Sequence, residues 1–237
     1  MGFERYHKRC QQEGHLVGFL ASLCDFLHAL PPHVREVQRR HTYTGFWFLN
    51  AEDSLDALEG EEQMEAVERF LKVGPAVYVG WGSCVCARGP AHMVTVAVGA
   101  LMQAGVRGVV LAGWAHLSLD LLSEAVGPED AGGLWAYARD HVLFVDRVSH
   151  TWLLPKCICH VHHGGVGTLA ASWRSGKPVI VTPIWMDQFS NAEFVKQMCG
   201  IATPALDDLT ASDLASYIKR AMTDLGILGT ASMLAQS

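Results

Sequence analysis

Short apolar runs alternate with helical segments from residue 75 to residue 223 of this chain. Strands are predicted at residues 76–80, 106–113, 141–145, 158–162 and 179–182, and helices at residues 51–72, 91–104, 168–175, 189–198 and 211–223, with a short helical turn at 149–155. Apolar strands that are separated by helices indicate a parallel sheet covered on both faces. Right-handed crossovers then arrange this sheet as a doubly wound α/β domain, in which ligands bind at the carboxyl ends of the strands.

The composition fits one large folded domain, or one and a half. Of the 237 residues, 50% are hydrophobic and 18% are charged, which argues against disorder. The formal net charge is −6 and no basic run is present, so we expect no nucleic acid partner. The seven cysteines are an odd number in a chain that is not small, which favours reduced thiols in a cytoplasmic protein.

No part of the sequence reaches the roughly 18 consecutive apolar residues of a membrane-spanning helix. The nearest candidate, residues 16–30, contains Asp25 and His28 and precedes two prolines. It also lacks a small-residue cleavage site, so we do not interpret it as a signal peptide. We therefore expect at most peripheral contact with a membrane.

Residues 162–168 have the sequence His-His-Gly-Gly-Val-Gly-Thr and are predicted to join a strand to a helix. The three glycines let the backbone approach a bound group closely, and the helix N-terminus offers free N–H groups to an anion. His162 can donate to a phosphate oxygen or, if it is protonated, balance its charge. The alternative is a glycine-rich turn with core histidines, which explains most isolated matches. The combination of residue types between a strand and a helix favours a phosphate or diphosphate site.

Asp187 and Gln188 follow the last predicted strand. A carboxylate and an amide side by side can bind adjacent sugar hydroxyls. On these residues alone, an N-cap role for Asp187 at a solvated helix start is an equally good explanation.

The motif at residues 162–168, followed by the Asp-Gln pair, resembles the nucleotide-sugar signature of glycosyltransferases with two Rossmann-like domains, the GT-B fold. The resemblance is strongest to sterol 3-beta-glucosyltransferases and related glycosyltransferases of antibiotic aglycones, whose motif has alanine where Val166 stands. Residues 80–83, Gly-Trp-Gly-Ser, resemble the Gly-Phe-Gly-Ser turn of that family, and residues 144–148, Phe-Val-Asp-Arg-Val, resemble its Phe-Val-Asp-Asp-Val segment.

The resemblance implies a Rossmann-like, doubly wound parallel sheet, the C-terminal half of a GT-B fold, that binds a UDP-sugar. In the family, the segment like 144–148 holds the uracil, and the Asp-Gln pair binds the sugar. His162 aligns with the histidine that contacts the diphosphate and would stabilise it as it departs, whereas His163 is expected to support the turn. Asn191 is in reach of the same region, and Trp114 matches a family position but is expected to pack rather than bind. The implied UDP-sugar-binding residues are Gly82, Ser83, Val145, Val148, His162, Gly164, Gly165, Gly167, Thr168, Asp187 and Gln188.

The resemblance covers roughly residues 31–223, and residues 44–48 match the segment that joins the two domains of the family. Residues 1–50 are therefore interpreted as a remnant of the acceptor domain with the interdomain linker, and residues 51–237 as the nucleotide-sugar donor-binding domain. The catalytic base of the family lies in an N-terminal acceptor domain that these residues do not match. We expect that base outside this chain, in an acceptor domain that another chain could supply.

The resemblance implies an inverting, metal-independent glucosyltransferase that uses UDP-glucose as donor substrate, needs no cofactor and acts on a sterol-like acceptor. Two alternatives stay open: another lipid or aglycone as acceptor, and a nucleotide-sugar-binding module without activity of its own. Residues 157–163 contain two cysteines and three histidines. We predict no metal site there, because alternation along a strand turns Cys157 and Cys159 away from His160 and His162.

Overall fold

The computed structural model describes residues 61–127, 130, 132–198 and 200–235. The helices are α1 (Glu61–Val73), α2 (Gly89–Ala104), α3 (Leu119–Val126), α4 (Leu134–His141), α5 (His150–Leu153), α6 (Val166–Arg174), α7 (Gln188–Met198), α8 (Ala211–Thr223) and α9 (Leu225–Leu234). The strands are β1 (Ala76–Gly80), β2 (Arg107–Leu111), β3 (Val142–Val145), β4 (His160–His162), β5 (Val179–Val181) and β6 (Ile201–Ala202). Short 3₁₀ helices lie at Gly113–Ala115, Leu154–Lys156 and Leu206–Asp208. The predicted acceptor-domain remnant and linker, residues 1–50, lie outside the described residues.

The six strands run parallel in the order β3-β2-β1-β4-β5-β6, which confirms the predicted doubly wound α/β sheet. The strand order reverses between β1 and β4. Gly80, the last residue of β1, pairs with His162, the last residue of β4. The two turns that carry the main motifs therefore leave the sheet side by side at the switch point, where sheets of this kind bind their ligands.

Alternating side chains of the strands build one core on each face of the sheet. Val77 and Val79 of β1 pack with the buried side of α2 and α8, whereas Tyr78 packs on the other face with α1 and α5. Helix α8 lies directly on α2, and a Cβ on Gly99 would stand 2.8 Å from the Cβ of Ala211. A glycine is needed there because the two helices approach so closely.

The predicted helix over residues 51–72 corresponds to α1 in the part of the chain that the structure describes. Its predicted apolar stripe faces the core, as expected: Val67 is fully buried, and Met64, Phe70 and Leu71 pack against the same cluster. Arg107 of β2 holds the end of this helix, since its guanidinium donates to the Phe70 carbonyl at 2.7 Å and lies 3.6 Å from the centre of the Phe70 ring.

The helix that follows the glycine turn begins at Val166, two residues earlier than predicted. Gly165 is extended, with φ −60° and ψ 138°, and stands at the N-cap position. The sequence analysis also missed α3, α4, α9 and the two-residue strand β6. Helices α3 and α4 have only eight residues each, which is too short for a clear helical period.

The predicted orientation of Cys157 was wrong. Strand β4 begins only at His160, so the alternation of a strand does not extend back to Cys157. Cys157 packs on the face of Tyr78, which His160 also contacts, whereas Cys159 packs on the opposite face with Val161. Within the described residues, no three His, Cys, Asp or Glu side chains are grouped so that they could hold a metal ion. None of the described helices has the length and apolar character needed to cross a membrane.

Candidate functional site

Three turns at the carboxyl edge of the sheet contact one another around Gly82. This residue follows β1 and has a φ of 58°. Its carbonyl accepts a hydrogen bond of 2.9 Å from the Trp114 N–H in the turn after β2. On its other side, a Cβ at Gly82 would stand 3.4 Å from His163 Cε1 in the turn after β4. Ser83, which comes next, is exposed, so its hydroxyl is open to a ligand beside the glycine turn.

Gly164 shapes the turn after β4. Its φ of 89° lies in the left-handed region, and a Cβ there would stand 2.6 Å from Val181 Cγ1, so only glycine fits. The Asn191 side-chain amide donates to the Gly164 carbonyl at 2.9 Å, which ties this turn to helix α7. The sequence therefore predicted correctly that Asn191 reaches this region.

The first turn of α6 presents unused backbone donors. The first bond inside the helix runs from the Leu169 N–H to the Gly165 carbonyl at 2.9 Å, so the N–H groups of Val166, Gly167 and Thr168 precede the helical ladder. Nothing lies within 4 Å of a Cβ built on Gly167. A helix N-terminus with open space beside it is suited to bind a phosphate group.

His162 points into the protein. Its side chain is fully buried, and its Nδ1 accepts a hydrogen bond of 3.0 Å from the Gly164 N–H. The ring proton therefore sits on Nε2, which has no hydrogen-bond partner among the described residues. His162 thus stabilises the conformation of the turn from below.

His163 occupies the opposite position. Its ring is partly exposed and lies against the backbone of Gly165 on one side and near Gly82 on the other. The geometry therefore favours His163 as the ring that reaches a ligand and His162 as the support of the turn, the reverse of the roles expected from the resemblance. The sequence alone offers no signal for this, because both histidines fit the motif.

Both rings are neutral at pH 7. Burial first, and the neighbouring His163 second, hold the pKa of His162 well below its usual range. Burial also lowers the pKa of His163, with His150 as a second cause, while the nearby Asp187 carboxylate acts in the opposite direction. A neutral ring can offer an anion a hydrogen bond, but not the positive charge that protonation of His162 would supply.

Asp187 and Gln188 take different positions at the exit of β5. The Asp187 side chain is exposed, and one of its oxygens accepts a hydrogen bond of 3.1 Å from the Asn191 side-chain amide. Gln188 is only 5% exposed. Its Oε1 accepts from the N–H groups of Ile184 at 2.8 Å and Trp185 at 3.1 Å, and its Nε2 donates to Cys84 Sγ at 3.3 Å. Sugar binding by Asp187 and Gln188 stays a prediction, and Gln188 also organises the loop that presents Asp187.

Trp81 holds the sheet together beneath the site. Its side chain is 1% exposed, and its indole N–H donates to Thr182 Oγ1 at 2.7 Å. The Thr182 hydroxyl in turn donates to the His162 carbonyl at 3.3 Å. The aromatic residue of this turn is therefore part of the core.

Val145 and Val148 are almost fully buried and belong to the core on the α1 side of the sheet. The Gln63 side chain of α1 accepts from the N–H groups of Asp146 at 2.9 Å and Arg147 at 3.0 Å. Because these backbone donors are occupied, a base bound here would contact the remaining edge of the segment. The role of Gln63 was not recognised from the sequence, since 83 residues separate it from Asp146.

The expectation that Trp114 packs was wrong, because its side chain is 73% exposed. Other apolar side chains are exposed at the same edge of the sheet or in the helical turns that begin there: Val85, Val166, Trp185, Met186 and Phe189. The carboxyl edge thus combines polar turns with an exposed apolar rim.

Comparisons with known proteins agree with this geometry. Residues 127–237 match the family described as "Erythromycin biosynthesis protein CIII-like, C-terminal domain". A sterol 3-beta-glucosyltransferase of Vanderwaltozyma polyspora is 31% identical over 188 residues, which are 78% of this chain and 14% of that protein. One of Saccharomyces cerevisiae is 34% identical over 181 residues, 76% of this chain and 14% of that protein.

The fold has a counterpart among solved structures. The crystal structure of a UDP-glucose: anthocyanidin 3-O-glucosyltransferase in complex with UDP has a TM-score of 0.55 at 20% identity, over 68% of this chain and 35% of that chain.

The parallel sheet, the turns at its switch point and these matches define a C-terminal domain of a GT-B glycosyltransferase. Within that class the chain is similar to the erythromycin biosynthesis protein CIII-like C-terminal domains over residues 127–237, and to sterol 3-beta-glucosyltransferases. This confirms the resemblance found in the sequence. The chain spans 14% of the length of each of the two curated relatives named above.

Proposed function

We propose that this chain is the donor-binding half of an inverting, metal-independent glucosyltransferase that takes UDP-glucose and transfers glucose to the hydroxyl of a sterol-like acceptor. The observation that carries the proposal is the pair of turns at the switch point, where exposed Ser83, partly exposed His163 and the open N-terminus of α6 adjoin. Sterol 3-beta-glucosyltransferases among the relatives support the sugar and the acceptor class.

In this proposal the diphosphate lies on the first turn of α6. Backbone N–H groups before Leu169 and the positive end of the helix dipole balance its charge without a metal ion. The His163 ring and the Ser83 hydroxyl add side-chain donors. As the bond to the anomeric carbon breaks, negative charge grows on the leaving UDP, and these donors stabilise it. Loss of one such donor typically costs on the order of 100-fold in rate.

Asp187 is the proposed sugar-binding carboxylate, because it is exposed at the next strand exit. The base that deprotonates the acceptor belongs to an acceptor domain, either in the same longer protein or on another chain. We propose no cofactor beyond the donor substrate. A lipophilic acceptor would bring the assembled enzyme into peripheral contact with a membrane from the cytoplasm.

Calorimetric titration of the purified chain with UDP and with UDP-glucose, each with and without Mg²⁺, tests the donor site. We expect both nucleotides to bind, with affinities that Mg²⁺ leaves unchanged. Binding that requires Mg²⁺ would refute the metal-independent mode, and a well-folded chain that binds neither nucleotide would refute the donor site in this chain. Turnover after addition of an acceptor domain separates an enzyme half from a binding module, which would bind UDP-glucose and never transfer the sugar.

The same titration assigns the two histidines. We expect His163→Ala to weaken UDP binding about tenfold, as for a lost hydrogen bond to a charged group. His141→Ala, at an exposed position of α4, is the matched control. A His162→Ala chain that stays folded and loses more UDP affinity than His163→Ala would restore the assignment expected from the resemblance.

A further inference from the structure

The loop between β5 and α7, residues 182–187, has two exposed apolar side chains next to Ile184, which packs against the core. Trp185 is 55% and Met186 73% exposed. Met186 also has a φ of 54°, a left-handed conformation that a residue with a side chain rarely adopts. Such a loop keeps its conformation only when other groups hold it. The conformation matters because the loop presents Asp187.

Polar contacts from two side chains hold this loop. The Gln188 side-chain Oε1 accepts from the N–H groups of Ile184 and Trp185. Cys84 supplies the second contact: its Sγ accepts from the Gln188 Nε2 at 3.3 Å and from the Trp185 indole Nε1 at 3.4 Å. Cys84 is 7% exposed, so these contacts are largely shielded from water.

Cys84 also belongs to the other half of the site. It directly follows Ser83, and its own N–H donates to the Trp81 carbonyl at 3.0 Å, which closes the turn after β1. One thiol thus links the turn beside the proposed diphosphate site to the loop that presents Asp187. Along the chain, Trp185 lies 101 residues and Gln188 lies 104 residues after Cys84.

We infer that Cys84 is a positioning residue that holds the Asp187 loop in register with the Ser83 turn, and that it thereby sets the affinity for the sugar part of the donor. The inference rests on the proposed function. If Cys84 only filled the core, its replacement would change the affinities for UDP and for UDP-glucose by the same factor. A positioning residue for the loop changes mainly the additional affinity that the glucose contributes, because the backbone bond that closes the Ser83 turn survives loss of the thiol.

The test compares Cys84→Ala, Cys84→Ser and the control Cys86→Ala. Cys86 lies two residues away in the same segment and is buried to a similar degree, but its Sγ interacts with the Gly89 carbonyl instead of the loop. Calorimetry gives the affinities for UDP and UDP-glucose. We expect Cys84→Ala to lower the affinity for UDP-glucose about fivefold, as for loss of an ordinary hydrogen bond, with UDP affinity changed less than about twofold. Serine, which can still accept both N–H bonds, should restore most of the loss, and Cys86→Ala should keep the wild-type ratio.

A second measurement does not need a ligand. The Trp185 indole N–H resonance, assigned with Trp185→Phe, should exchange with water faster in Cys84→Ala than in wild type or Cys86→Ala. If wild type binds both nucleotides but Cys84→Ala keeps their ratio and the indole exchange rate, the positioning role is overturned while the donor site stands. If wild type binds neither nucleotide, the proposed function fails and the sugar-positioning role fails with it.

Discussion

Replacement of Gly167 by alanine should stabilise the fold and weaken the proposed donor site at the same time. Gly167 lies in the first turn of α6 at a position without positive φ, and nothing stands within 4 Å of a Cβ built there. Alanine is the better helix former, so the free energy of unfolding should rise by about 0.5–1 kcal/mol. For a chain of this size, the melting temperature should rise by about 1–4 °C.

The open space beside Gly167 is also where the proposed diphosphate meets the helix N-terminus. A methyl group there would push a phosphate oxygen away from the unused N–H groups. Loss of one hydrogen bond to a charged group corresponds to about 1.5–3 kcal/mol, or at least tenfold in the dissociation constant. Thermal unfolding and UDP calorimetry on the same preparation measure both effects.

Gly164→Ala is the matched comparison, three residues earlier in the turn that precedes α6. With a φ of 89° and Val181 Cγ1 at 2.6 Å from the new Cβ, it should lower the free energy of unfolding by about 1–3 kcal/mol. It should weaken UDP binding as well, because the turn is distorted. A Gly167→Ala chain that melts higher and binds UDP as well as wild type would show that no diphosphate lies on the first turn of α6. A lower melting temperature would contradict the observation that Gly167 lies at a helical position with free space beside it.

Three further results are expected. Burial lowers the pKa of His160 from 6.5 to about 4, so the folded state resists protonation of this ring. The free energy of unfolding should therefore be full above pH 6.5 and fall by up to about 3 kcal/mol as the pH falls towards 4. Urea unfolding at pH 7 and pH 5 should show this loss of stability, and the loss should be smaller in His160→Gln. Trp81→Phe removes the donor to Thr182 and part of a buried ring, so the free energy of unfolding should fall by about 1–3 kcal/mol while the affinity for UDP stays unchanged. A loss of UDP affinity without a loss of stability would contradict the role of Trp81 in the core. The free protein holds the His163 pKa below its usual value, and a bound diphosphate would raise it, so UDP-glucose should bind more tightly at pH 6 than at pH 8. His163→Ala should remove this pH dependence. If the affinity of both proteins changes equally with pH, contact between the diphosphate and the ring is refuted.

Some elements could be predicted from the sequence because a local pattern is enough to specify them. The five predicted strands are apolar runs, and helix α8 has the predicted bounds because Thr210 caps its start and its apolar residues recur with a helical period. Helices α3 and α4 and strand β6 escaped prediction because they are too short for a period to show. Their place comes from packing against α2 and β5.

The site likewise combines features that the local sequence specifies with features that only the fold specifies. The glycine turn within residues 162–168 could be recognised from the sequence, since a positive φ such as that of Gly164 favours glycine whatever lies elsewhere. The sequence could not say which of the two adjacent histidines is buried, because that depends on where β4 ends and on the register that pairs Gly80 with His162. It also could not show that Gln188 and Cys84 are partners, since a contact across 104 residues exists only once the sheet has brought two turns together.

The sequence by itself thus determined the α/β class, the positions of five strands along the chain and the turn that suits an anion, because propensity, periodicity and glycine conformation act over a few residues. Only the tertiary structure decided the burial of His162, the partial exposure of His163, the exposure of Trp114, and the contact between the Cys84 and Asp187 segments. These depend on which elements become neighbours in the sheet, and hydrogen bonds and burial between residues far apart in the chain have no local signal.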